Sequence, residues 1–258
     1  MVESLQTKTT YRYELWRAAA SGILETAGST FLLLIAVWFG AGALAKGLVA
    51  GAGSLGLLLS PLVVSVVTAV GARTSTAASR ILAAGAASFV LAALLPGPFP
   101  YIFCSVVAMA SSAAVIPLLT QMYQENYPEK ERGRRFSKTI MIRIATAALF
   151  SKVAGDALTG RMSYFPVLLV VFGCALGFAS FCLSRCPTRP IFPDGGAHPL
   201  RALRFVRQDG LFRRTLGCWM LLGGNVRSVV EKRLVERFIT RLASKFQVES
   251  FDAQPMRL

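Results

Sequence analysis

The chain has 258 residues, a formal net charge of +15, 54% apolar and 16% charged residues and a mean hydropathy of +0.54. Soluble domains carry about 45–50% apolar and about 25% charged residues, so a disordered chain is excluded and an ordinary soluble enzyme is not expected. The basic excess suggests nucleic acid until the placement of the charges is considered.

A helix needs roughly 20 mostly apolar residues to cross a bilayer. Such stretches are expected near 16–38, 47–70, 79–95, 101–122, 138–158 and 164–184. None alternates apolar with polar residues, so a barrel of strands is not expected. The first stretch is too long for a signal-peptide core and no small-residue cleavage site follows it, so it reads as a retained span.

With the N-terminus placed in the cytoplasm, Lys8, Arg12, Arg17, Arg73, Arg80, Lys130, Arg132, Arg134, Arg135, Lys138 and seven arginines between Arg185 and Arg214 fall inside. Only Lys46 and Arg161 fall outside. This positive-inside asymmetry predicts an N-in, multi-pass protein of the cell membrane and accounts for the basic excess without nucleic acid.

The connections expected outside are tight: 39–46, the proline-rich Pro96-Gly97-Pro98-Phe99-Pro100, and 159–163. Short connections imply antiparallel neighbours in a bundle. Gly47 and Gly51, extended by Gly53 and Gly56, form a stripe of small residues that predicts close helix packing on the second span. Pro61 and Pro117 fall inside spans two and four and are expected to kink them. Ser111, Ser112, Thr120 and Gln121 give span four its polar content.

Charged groups inside spans are costly and usually functional. Glu25 lies about 13 Å into span one and Lys152 about 21 Å into span five, at a rise of about 1.5 Å per residue. They read either as a candidate solute-binding pair or as a buried pair that fixes helix packing. Asp156 shares a face with Lys152 at i, i+4 spacing and reads as its neutralising partner or a mouth residue. Arg143 points the opposite way and reads as an anchor or ion-pair member. Cys182, Cys186 and His198 can be imagined as zinc ligands, but no fourth ligand is in view, and packing is the expected role of the cysteines. Nothing in the pattern calls for a cofactor, and no intramembrane nucleophile with its base is seen, so an enzyme is not expected.

After Arg185 comes a charged segment to about residue 215, with loop chemistry at Cys186-Pro187-Thr188-Arg189-Pro190. An apolar run at 216–224 is too short to span. From Asn225 the composition becomes charged, with Val235, Phe238, Ile239, Leu242 and Phe246 on one helical face and Arg233, Glu236, Arg237, Arg241 and Lys245 on the other.

Six N-in spans followed by a long basic inner segment resemble the N-terminal half of a major facilitator superfamily transporter. Three motifs support this. Tyr127-Pro128-Glu129-Lys130-Glu131-Arg132-Gly133-Arg134-Arg135 resembles the Pro-x-x-x-Arg-Gly segment between helices 4 and 5. Gly155-Asp156-Ala157-Leu158-Thr159-Gly160 is similar to the glycine-rich close of helix 5. Gln208-Asp209-Gly210-Leu211-Phe212-Arg213-Arg214 resembles the lead into helix 7. In the family's loop 2–3 signature, Gly71 and Arg73 fit, whereas Thr68 and Ala69 stand where an acid and an arginine belong.

The resemblance implies an all-α membrane bundle of two inverted three-helix repeats, with helices 1, 2, 4 and 5 lining a cavity for an unknown small solute. It implies conformational roles for Gly71, Arg73, Pro128, Arg132 and Gly133. The family's full length would make this chain a truncated half. Such a half is expected not to transport alone unless it self-associates or meets a complementary half. The competing expectation is a non-catalytic membrane scaffold that docks through an interfacial C-terminal helix at 225–258.

Overall fold

The computed structural model describes residues 5–95, 97–158, 162–190 and residue 210. The expected seventh-span fragment at 216–224, the amphipathic tail at 225–258, Cys218 and His198 lie outside them. The described residues up to 190 form one compact unit.

The described residues are almost entirely helical and form six long rods. Rod 1 comprises α1 (Leu5–Thr26), a π-helical turn (Ala27–Phe31) and α2 (Leu32–Trp38). Rods 2 and 3 are α3 (Ala43–Val70) and α4 (Thr74–Leu94); rod 4 is α5 (Pro98–Ala114) followed by α6 (Ile116–Asn126). Rod 5 is α7 (Glu129–Leu158) and rod 6 is α8 (Phe165–Ser184), preceded by a 3-10 turn (Met162–Tyr164).

Four helices are long and apolar enough to cross a membrane: Ala43–Val70, Thr74–Leu94, Pro98–Asn126 and Met162–Ser184. Rods 1 and 5 fall short of that standard for identifiable reasons. The π turn divides rod 1, leaving a first helix with a polar N-terminal half. Rod 5 opens on Glu129 to Lys138, and its remaining length holds Arg143, Lys152 and Asp156.

Both rods begin earlier than their apolar text: helix starts at Leu5 rather than near 16, and at Glu129 rather than near 138. The segment around Pro128, Arg132 and Gly133, expected as a loop, is therefore a helix-to-helix corner. The amides of Glu131 and Arg132 donate to the Pro128 carbonyl, and Glu129 and Glu131 sit in the first turn of α7, where the helix dipole favours acids.

The other connections follow from backbone chemistry. Gly71 ends rod 2 at φ +64°, with its amide on the Thr68 carbonyl and that of Ala72 on the Val67 carbonyl. This is a Schellman close that an L side chain at Gly71 would strain. Arg73 then starts rod 3 and forms an antiparallel bridge with Pro190. Gly97, at φ +116°, turns the chain into Pro98 at the first position of α5. Pro117 sits in the first turn of α6, where its missing amide is tolerated, and the rod breaks at Val115 as expected of a proline there. Pro61 lies inside α3 without dividing it.

Rod 3 packs along rod 6, rod 2 along rod 4, and rod 1 along rod 5; rods 3 and 4, and rods 1 and 6, are also in contact. Exchanging rods 1, 2 and 3 with rods 4, 5 and 6 maps this set of partners onto itself. The exchanged rods 1 and 4 are also the two interrupted ones.

Small residues permit the three main crossings. A Cβ on Gly22 would collide with the Arg143 carbonyl of rod 5, and one on Gly56 with the Ala110 carbonyl of rod 4. Gly85 and Gly173 serve the rod 3–rod 6 crossing, where Ser180 Oγ also donates to the Ser79 carbonyl at 2.7 Å. Gly47, Gly51 and Gly53 have open space around them, so the expected stripe on the second span contributes only Gly56 to packing. The core holds Phe89, Phe172, Leu169 and Tyr101, whose hydroxyl donates to the Leu32 carbonyl beside the π turn at 2.7 Å.

Leucine at position 22 or 56 should lower the thermal unfolding midpoint of the detergent-solubilised protein, by overpacking that costs about 1–3 kcal/mol. Gly51→Leu should stay within about 0.5 kcal/mol of wild type. Equal losses at all three positions would contradict the assigned crossings.

Candidate functional site

A cavity of about 710 Å³ lies between rods 1, 4 and 5. One face of each rod lines it at helical spacing: Arg17, Ser21, Leu24 and Glu25 from rod 1, Met109 through Tyr127 from rod 4, and Arg132, Gly133, Phe136 and Arg143 from rod 5. Leu24, Met109, Ile116, Leu119 and Phe136 give it an apolar body; of its charged lining residues, Glu25 pairs with Arg143 and Arg17 with Glu14, and Glu129 and Arg132 also line it.

The deep pair is Glu25 with Arg143, at 3.0 Å between Oε2 and Nε. Their side chains are 49% and 42% exposed, so the pair borders open volume instead of packed protein. Gly22 makes the pair possible. Without a side chain it lets rod 1 rest on the backbone of rod 5 at Arg143, which brings Glu25, one turn on, alongside the guanidinium. The π turn begins two residues after Glu25, and the break in rod 4 at Val115 immediately precedes the lining residue Ile116. Both interruptions therefore flank the deep end of the cavity. Single π turns inside helices are frequent at functional sites.

Nearer the N-terminal end of rod 1 is a buried cluster. Arg17 binds Glu14 through two nitrogens, with Nε at 2.7 Å from Oε2, and donates from Nη2 to the Tyr123 hydroxyl at 2.8 Å and from Nη1 to Ser21 at 3.1 Å. Tyr123 in turn donates to Glu14. The Glu14 side chain is 3% exposed and accepts hydrogen bonds from Arg17 and Tyr123. The Tyr123 ring stacks on Tyr127 at 5.7 Å and 5°, which fixes its hydroxyl.

The cluster is tied to neighbouring backbone. Asn126 Nδ2 donates to Thr10 at 3.1 Å and to the Pro187 carbonyl at 2.8 Å, and Thr7 donates to the Asn126 carbonyl at 2.9 Å. Ser75 Oγ lies 2.8 Å from Thr188 Oγ1. The segment following rod 6 is thereby held against rods 1, 3 and 4. Arg132 Nη2 approaches the carbonyls of Gln124 at 3.3 Å and Tyr127 at 3.4 Å, placing a cation at the carbonyl end of α6.

Burial, with the Glu14 charge behind it, holds the Tyr127 phenol above its ordinary range and pushes the Cys186 thiol up to about 12. Cys186 is therefore a protonated donor, 3.4 Å from the Cys182 carbonyl, and both cysteines are buried.

Two expectations from sequence need correcting. Lys152 does not pair with Glu25 and does not line the cavity; it is exposed on the opposite face of α7, as is Asp156 one turn on. Arg143, 180° from Lys152 around the helix, meets Glu25 instead. Second, the lining of this cavity comes from rods 1, 4 and 5, with none from rod 2. Ser112 and Thr120 line it, whereas Gln121 donates to Glu125 at 3.3 Å. Glu14, Arg17 and Tyr123 emerge only here as a linked group. A sequence signal existed in the i, i+3 spacing of acid and arginine just before the apolar text of rod 1.

Comparison of the chain with protein-family models, with curated protein sequences and with solved structures finds no match. The resemblance noted above thus stands on its sequence motifs alone.

Replacing Arg17 by Met should cost about 3–5 kcal/mol, because the Glu14 carboxylate is left buried without its cation. Tyr123→Phe should cost about 1.5–3 kcal/mol, the usual worth of a hydrogen bond to a charged group. Combining Glu14→Met with Arg17→Met should recover much of the loss. Unfolding in detergent measures all three, and an Arg17→Met protein as stable as wild type would contradict the cluster's assigned role.

Proposed function

We propose that residues 5–190 form one six-helix half of a transporter of the major facilitator type, with the cavity between rods 1, 4 and 5 as this half's share of the solute path. The observation that carries the reading is the exchange pattern of the rods. Three consecutive rods and the next three take the same partners, as two inverted three-helix repeats would. All six rods cross the cell membrane in this reading. The N-terminus and the basic connections lie on the cytoplasmic side, in keeping with the charge asymmetry.

The charges of rods 1 and 5 make sense in this setting. A charged side chain in hydrocarbon is costly, but one turned into an aqueous cavity is not. Glu25 and Arg143 compensate each other while the cavity is empty of solute. A small polar or zwitterionic solute replaces one partner of the pair with its own charged group. The interruptions at Ala27–Phe31 and Val115 give rods 1 and 4 points at which to bend as access alternates. A second six-helix half, or a second copy, supplies the opposite wall, and this half alone does not transport.

The test uses single cysteines in a cysteine-free background, probed in native membranes with a hydrophilic maleimide. Ser112→Cys and Thr120→Cys, on the cavity wall, should label with the reagent on the cytoplasmic side. Leu58→Cys, 76% exposed on the outer face of rod 2, should stay unlabelled in lipid. An inert cysteine at 112 would mean that no aqueous path reaches mid-membrane, and the transporter reading would fall.

A further inference from the structure

A second, smaller cavity of about 320 Å³ lies between rods 1 and 6, lined by Arg12, Tyr13, Trp16, Phe178, Phe181 and Cys182. Of the large cavity's residues it shares none. Trp16, Phe181 and Phe178 are 58%, 49% and 44% exposed, so aromatic surface is presented outward and not into the bundle.

Arg12 is the charged residue on its wall, and the cations near it on rods 1 and 6 are Lys8 and Arg185. Lys8, Arg12 and Trp16 follow one another at i, i+4 and i+8 on α1 and are all exposed, so two cations sit directly above an indole on one stripe. From the facing rod, the Arg185 guanidinium lies 5.1 Å over the Phe181 ring. No carboxylate lines the groove among the described residues. The nearby Glu14 is turned away into its bond with Arg17 and is buried. Among the described residues, the guanidinium groups of Arg17, Arg135 and Arg143 are each met by a carboxylate, whereas none meets Arg12 or Arg185.

We propose that this groove is a binding site for one anionic phospholipid. Its phosphate is held between Arg12 and Arg185, with Lys8 adding charge, and an acyl chain lies along Trp16, Phe178 and Phe181. The arrangement matches the chemistry of such a ligand from top to bottom. Cations stand at headgroup level at the end of the helices, an indole and a phenol ring sit at the interface where amphipathic rings are favoured, and apolar rings continue toward mid-membrane. A free inorganic phosphate meets the cations but leaves the aromatic floor uncovered, so the lipid is the occupant. The site depends on rods 1 and 6 standing in a bilayer and not on the chain being half of a transporter.

Trp16 supplies the reporter. In the full chain carrying Trp38→Phe and Trp219→Phe, Trp16 fluorescence is titrated with brominated phosphatidylglycerol or brominated phosphatidylcholine of the same acyl chains in mixed micelles. Phosphatidylglycerol should reach half-quenching at a lower mole fraction, by about five-fold for each guanidinium engaged. Arg12→Gln with Arg185→Gln should bring the two curves together while leaving phosphatidylcholine quenching unchanged, which also shows the protein still folded. Lys130→Gln with Arg134→Gln, on exposed turns of rod 5, should keep the preference, and added inorganic phosphate at matched ionic strength should not displace the lipid. Equal quenching by both lipids overturns the proposal. So does a preference that survives loss of Arg12 and Arg185, one abolished equally by the rod 5 changes, or one removed by free phosphate.

Discussion

In the proposed membrane setting hydrocarbon disfavours unpaired charge on rods 1 and 5, and four of their charges are paired while Lys152 and Asp156 stay exposed. Glu14, Arg17, Glu25 and Arg143 are all on these two rods, and all are paired within the protein. The pairing requires rods 1 and 5 to lie almost backbone to backbone, which Gly22 permits. It also requires rod 4 to bring Tyr123 to the Arg17–Glu14 group. The cavity follows from the same arrangement. Its walls are mainly apolar, with the Glu25–Arg143 pair and Arg17 set among Leu24, Met109, Ile116, Leu119 and Phe136.

The two sets of charges do different work. The Glu14–Arg17–Tyr123 group is buried and fully bonded, so it fixes rods 1 and 4 relative to each other and is expensive to disturb. The Glu25–Arg143 pair is half-exposed, has little protein around it, and lies between the two places where helices are interrupted. A locked cluster at one end and an open pair at the other suits a structure that has one end held and the other able to adjust.

Much of this was legible in the sequence, because the length of an apolar run marks a helix able to cross a membrane. The text for spans two, three, four and six falls within a few residues of Ala43–Val70, Thr74–Leu94, Pro98–Asn126 and Met162–Ser184. Hydropathy does not mark the polar first turns of α1 and α7, which begin roughly ten residues before their apolar text; in α7 those turns, Glu129 to Lys138, are mostly exposed.

Helical geometry was informative where depth was not. The half-turn between Arg143 and Lys152 is visible in their spacing, but choosing between them needed the position of Gly22 on the neighbouring rod, and Lys152 was chosen for its depth. The glycine stripe at 47, 51 and 53 shows the converse. Spacing indicates that a close approach is permitted, and only the partner helix decides which glycine is used.

The central claim is that rods 1 and 5 cross the bilayer despite their charges. Single cysteines at Gly42, Gly71, Glu129 and Ser163, labelled with a membrane-impermeant maleimide on intact and permeabilised cells, address it directly. Labelling of 42 and 163 on intact cells, and of 71 and 129 only after permeabilisation, is the predicted result. Reaction at 129 from outside, or protection of 42 or 163 until the membrane is opened, would leave rod 1 or rod 5 on one side and contradict the account.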